Sequence, residues 1–251
     1  INNTPLFGKY FINKEDTREG RRTKSAGLDG VKGTFDDGLP RTYDEFYKLC
    51  DYISLDCVPI TWGGTCYPSY FNRFLESLAA DYEGLEQATL NYTLSGTAKT
   101  LARLDANGEL VFDTEKTTIT ESNVGELSRQ AGKYYALKFV EKIATTQAWQ
   151  HSKVFNTGYE HLDAQDSFLR GRFSDDAALP TVAMLMDGVW WENEAKGTFA
   201  SMASAYGEEY GYGERNFAWL PFPKFIGTKT ANAILETTAI KRVASKPFKS
   251  E

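Results

Sequence analysis

The 251-residue chain is 41% hydrophobic and 25% charged, an ordinary globular balance with room for one large domain or two small ones. A net charge of −6 excludes the basic footprint of a nucleic-acid binder, and no apolar run approaches the roughly 20 residues of a membrane-spanning helix. Fourteen Tyr and 16 Phe are a rich supply of side chains that fill cores and also line sugar sites. Residues 1–38 are polar and Gly-rich, with a cationic patch "REGRRTK", and read as an irregular, insert-like segment. Thr42 and Glu45 form a T-x-x-E capping box. Phe46, Leu49, Cys50 and Ile53 follow at helical spacing on one face. Val58 to Trp62 is a short strand ended by Gly63-Gly64. A second helix runs from Tyr67 to Gly84, which stops it, and buries Phe71, Phe74, Leu75 and Leu78. Asn107-Gly108 is a turn dipeptide and marks a hairpin or an exposed loop. Residues 125–146 form the longest amphipathic helix, and 162–172 a short one broken at Gly171. Val182 to Met186 is continuous apolar sequence of strand length. Residues 192–211 read as a helix, "FAWLPFPKF" as a strand ended by two prolines, and the last stretch as a frayed end. Helices alternating with short strands predict an α/β fold, a short sheet flanked by more helix than strand.

Familiar catalytic signatures are missing: there is no GxxxxGK[ST], GxGxxG after a strand, HExxH or GxSxG. His151 and His161, ten residues apart without a third ligand, read as surface or loop residues rather than a metal site. Cys50, Cys57 and Cys66 fit neither a zinc spacing nor CxxC and are expected to serve as small buried hydrophobes. No cofactor or metal is expected. Asp36-Asp37 and Asp175-Asp176 read as solvated turns. Glu192 and Glu194 sit at a helix start, where acids complement the helix dipole. A carbohydrate-active hydrolase would use such acids as a facing pair.

What stands out is where the aromatics fall. Trp62 follows the first strand, Tyr67 and Tyr70 lie in the next turn, and Trp190-Trp191 follow the strand "VAMLMDG". In open α/β sheets ligands bind outside the carboxyl ends of the strands, and aromatic faces with nearby acids and amides make a small-ligand pocket. Adjacent side chains at a strand end point to opposite faces, so the two Trp rings diverge. Either both are buried on the two covered faces of a sheet, or one is a platform for a flat ligand. Trp219, flanked by strand residues, reads as core.

"LPRTYDEFYKLCDYI…VPITWGG" resembles a helix and following strand of bacterial extracellular solute-binding proteins of family 1. "AQDSFLRGR…TVAMLMDGVWW" is similar to that family's Q-x-x-F-x-x-G-[KR]…A-M-x-x-x-G-x-W pattern, and "RNFAWLPFPK" to the strand after it. The three blocks keep order and spacing over about residues 36–226. The resemblance implies a type II periplasmic-binding-protein lobe over 39–226, preceded by the segment 1–38 and followed by 227–251 leading out of it. It implies a two-lobed clamp, of which this chain is mainly the second lobe, with the first-lobe opening and a lipid-anchor Cys expected outside it. The implied function is non-enzymatic: an extracellular, monomeric lipoprotein that captures a mono- or oligosaccharide for the membrane permease subunits of an ABC transporter. Trp190 then takes the sugar-stacking role, Tyr67 or Tyr70 supplies a second aromatic, Trp62 reaches the cleft, and Glu192 accepts from a sugar hydroxyl. The alternatives are a carbohydrate-active hydrolase and an adhesion or sensing module.

Overall fold

The computed structural model describes residues 40, 42–173, 179–215, 217, 220 and 222–223. The chain divides into two compact units, Ile1–Tyr70 with Ile143–Pro221, and Phe71–Lys142 with Phe222–Glu251. The segments 1–38 and 227–251, Asp175-Asp176 and Trp219 lie outside the described residues, as does most of the strand expected around that Trp.

The first unit opens with α1 (Tyr43–Ile53). Thr42 Oγ1 accepts from the Glu45 N–H at 3.1 Å, satisfying one of the free amides of the first turn. The predicted apolar face of Phe46, Leu49, Cys50 and Ile53 is buried throughout. Next, β1 (Val58–Thr61) pairs in parallel with β6 (Val182–Leu185), Val58 opposite Val182 and Ile60 opposite Met184. The other edge of β1 is also bonded: Ile60 bridges Gln150, and the His151 N–H donates to the Ile60 carbonyl at 3.1 Å. A strand bonded on both edges, as β1 is, favours an apolar run over polar alternation, and "VPIT" is mostly buried. Leu49, Tyr52 and Ile53 of α1 pack against Ala183 and Met184. On the chain's return come α4 (His161–Arg170), α5 (Trp191–Glu194) and α6 (Lys196–Tyr206). Leu169, Trp191, Ala195, Phe199 and Met202 form a second core cluster in this unit. The helix expected over 192–211 is two pieces meeting at Ala195, and it ends at Gly207, whose φ of 120° few side chains tolerate.

The chain enters the second unit along α2 (Tyr67–Thr93). Gly84 does not stop this helix; its φ of 74° and ψ of 167° kink it, and helix resumes beyond. The second segment persists because tertiary contacts hold it, with Gln87 and Leu90 buried. Two antiparallel pairs follow, β2 (Gly96–Ala98) with β5 (Thr117–Ile119) and β3 (Ala102–Leu104) with β4 (Leu110–Phe112). Asn107-Gly108 sits in the β3–β4 hairpin loop, where Asp105 Oδ1 accepts from the Asn107 and Glu109 amides at 2.8 and 2.9 Å. The helix expected over 125–146 is α3 (Ala131–Thr145), preceded by a 3-10 segment, Val124–Arg129. Gln130, with ψ of 130°, separates the two.

Glu83 ends the helical segment before the kink, and Gln87 and Asn91, four residues apart, share a face of the segment after it. Glu83 accepts from the Gly132 N–H at 2.7 Å and from the Thr100 hydroxyl. Gln87 bonds the backbone at Thr97 and Lys99, and Asn91 bonds Gln130 and Lys133. This polar seam ties α2, β2 with the connection that follows it, and α3 together where an apolar seam would be ordinary. The protein is thus a helix-rich mixed α/β chain with a short sheet. Among the described residues no helix is long and apolar enough to cross a membrane.

Candidate functional site

The carboxyl ends of β1 and β6 lie in the first unit, where the Met186 N–H bonds the Thr61 carbonyl at 2.9 Å. Gly63 admits the start of α4 to this end of β1. A Cβ there would come within 2.9 Å of the His161 backbone nitrogen. The start of α4 is closed by a capping box in which the Glu160 N–H donates to Asp163 at 2.8 Å.

Asp187 follows β6 and is held from three directions. Its Oδ1 accepts from the Tyr70 hydroxyl at 3.0 Å and from the Gly188 N–H at 2.7 Å. Its Oδ2 accepts from Gln165 Nε2 at 2.9 Å. The same nitrogen donates to Glu194 Oε2 at 3.0 Å, so one buried amide joins two carboxylates from separate elements. His161 Nε2 stands 4.0 Å from that Glu194 oxygen. Gln165 is fully buried, and its Oε1 has no hydrogen-bond partner. The amide cannot reverse, since its oxygen would then face both anions.

Trp190 lies over Gly188, where any side chain would overlap the indole. The indole is 53% exposed, and Trp191 is 5% exposed among Phe168, Phe199 and Phe217. The rings diverge as the sequence predicts, but at a helix start rather than by strand alternation. Burial, and then the charge of Asp187, push the Tyr70 phenol up, which keeps it a proton donor. Among the described residues neither Asp187 nor Glu194 forms an ion pair with a lysine or arginine.

Of the residues singled out from sequence, Trp190 and Tyr70 meet here. Tyr67 is half-buried and edge-on to Phe155 at 5.3 Å. Trp62 does not open to a cleft. It is completely buried and also edge-on to Phe155, because it continues a strand enclosed on both sides. Glu192 is half-buried, with burial raising its carboxyl above the usual range, and it bonds none of these groups. Its neighbour Glu194 takes that place. His151 is not at the surface. It is 1% exposed and stacked on Tyr159 at 4.9 Å, and burial, with a smaller contribution from Lys153, pushes its pKa down. Cys50 is buried, and burial pushes its thiol up. Among the described residues no group of three or more His, Cys, Asp and Glu is placed to hold a metal ion.

Sequence reasoning missed Asp187 and Gln165. Two signals were present: an Asp-Gly pair directly after an apolar strand, and a Gln on a helix beside Ala164, Phe168 and Leu169, where an apolar residue would be ordinary. No protein-family model, curated protein or solved structure matches the chain.

Proposed function

We propose that the chain is the solute-capturing component of an ABC uptake system and binds a carbohydrate at the carboxyl ends of β1 and β6. The observation that carries this reading is the half-exposed Trp190 indole laid over Gly188, next to an Asp187 carboxylate oriented by Tyr70 and Gln165. A sugar ring stacks its apolar face on such an indole, and its hydroxyls donate to carboxylates fixed at the rim. The three sequence blocks over about residues 36–226 support a type II periplasmic-binding-protein-like lobe. They also support an extracellular, lipid-anchored, monomeric protein that hands its solute to membrane permease subunits.

Titration of the full chain with mono- and oligosaccharides, followed by Trp emission and calorimetry, tests the reading. Saturable binding is expected, and Trp190→Ala should weaken it by about 1–3 kcal/mol, the scale of one aromatic contact. Silence across the panel would refute a carbohydrate solute. A hydrolase reading draws on the same two carboxylates, Asp187 and Glu194. Release of reducing sugar in these titrations, abolished by Glu194→Gln, would favour it instead.

A further inference from the structure

We propose that Gly188 is a positioning residue for solute binding: its missing side chain leaves the seat that fixes the Trp190 indole with one face open. This inference rests on the carbohydrate reading above and deepens it. Gly188 to Trp191 is a tight turn, closed by the Trp191 N–H on the Gly188 carbonyl at 3.1 Å. Trp190 takes the third position with φ of −88° and ψ of −7°, the values of a type I turn. Its carbonyl accepts from the Asn193 N–H at 2.9 Å, so the backbone that carries the indole is held on both sides. The ring folds back over the first residue of the turn. A Cβ built on Gly188 would stand 2.3, 2.4 and 2.5 Å from Cζ2, Cη2 and Cε2 of Trp190. Nearly equal distances to three consecutive atoms of one ring put that point over the ring's face, not beside its edge. One face of the indole therefore rests on the Gly188 backbone, and the half-exposed ring turns its other face to solvent.

Nothing in the backbone calls for glycine at this position. Its φ is not positive, unlike those of Gly207 and Gly213, so an alanine meets no conformational penalty there. Its N–H donates to Asp187 Oδ1 at 2.7 Å, a bond that any residue but proline keeps. What excludes a side chain is the indole alone, since its atoms are the three nearest to the added carbon. A tryptophan free to change rotamer is ordered only when a ring stacks on it, and that ordering weakens binding about three- to tenfold. The seat on Gly188 orders the platform before the solute arrives.

The experiment measures calorimetric binding of D-glucose, D-galactose, maltose and cellobiose to the full chain as wild type, Gly188→Ala, Trp190→Ala and the double variant. Acrylamide quenching of tryptophan emission is read beside it, and the Trp190 contribution is the difference between each chain and its Trp190→Ala counterpart. Gly188→Ala should weaken the saccharides that bind about three- to tenfold and change the quenching of Trp190. In the Trp190→Ala background the same substitution should alter neither affinity nor melting temperature, because the atoms it meets are gone. If Gly188→Ala unfolds the chain, the double variant should regain the fold, and a double variant that stays unfolded overturns the inference. Wild-type affinity in Gly188→Ala, unchanged quenching of Trp190, or a loss equally large without the indole also overturns it and leaves the carbohydrate reading standing. Silence of the wild type towards all four saccharides overturns the carbohydrate reading, and the positioning role with it.

Discussion

Glu83 should make the second unit less stable as pH rises. Its carboxylate is 5% exposed and accepts from the Gly132 N–H at 2.7 Å and from the Thr100 hydroxyl. Burial raises its pKa above the ordinary 4.5, and this outweighs the lowering by Thr100, Gly132 and the charge of Lys133. A carboxyl whose folded pKa is raised binds its proton more tightly in the native state. Its contribution is therefore complete below pH 4.5 and is lost as pH climbs through the folded value. Within that window the loss approaches about 1.4 kcal/mol per pH unit. Glu83→Gln keeps the shape and an oxygen for the Gly132 amide but cannot ionise, so its stability relative to wild type should rise across the window. Glu83→Ala leaves the Gly132 donor unpaired and should cost about 1–3 kcal/mol at any pH. The assay is urea unfolding from acid to neutral pH, read by tyrosine circular dichroism and by hydrogen exchange at the Gly132 amide. The described tryptophans, Trp62, Trp149, Trp190 and Trp191, belong to the first unit, so tryptophan emission serves as an internal control. A wild-type minus Gln difference that is flat with pH, or that moves towards wild type as pH rises, would refute the reasoning.

The two adjacent tryptophans should separate sharply in thermal melts. Trp191→Ala removes a 5%-exposed ring from the Phe168–Phe199–Phe217 cluster and should cost about 3–5 kcal/mol, whereas Trp190→Ala should stay within about 0.5 kcal/mol of wild type. Gly64→Ala places a methyl on the Asn156 carbonyl oxygen and should cost about 1–3 kcal/mol, with Trp emission reporting a lowered melting temperature.

The sequence was informative wherever a local rule and the tertiary environment agree. The capped α1 with its apolar face, the two apolar strands, the hairpin at Asn107-Gly108 and the helix of 161–170 are all present. The sequence was less informative where a glycine was read as a stop. Gly84 has the positive φ that normally ends a helix, yet the chain resumes because the next turns bury Gln87 and Leu90. Trp62 and Trp190 look alike as aromatics after a strand. One continues a strand bonded on both edges and is sealed. The other caps a short helix beyond Asp187-Gly188 and stands half open.

The candidate site divides the same way. Composition and pattern alone determined a helix-rich α/β chain with short apolar strands followed by aromatics, because periodicity is a property of neighbours in sequence, whereas the parallel pairing of β1 with β6 is not. Only the tertiary structure brought Tyr70, Gln165, Asp187 and Glu194 to one point, since they come from three helices and a loop far apart along the chain. Convergence of that kind depends on where α4 meets β1 across Gly63, a distance no residue pattern encodes.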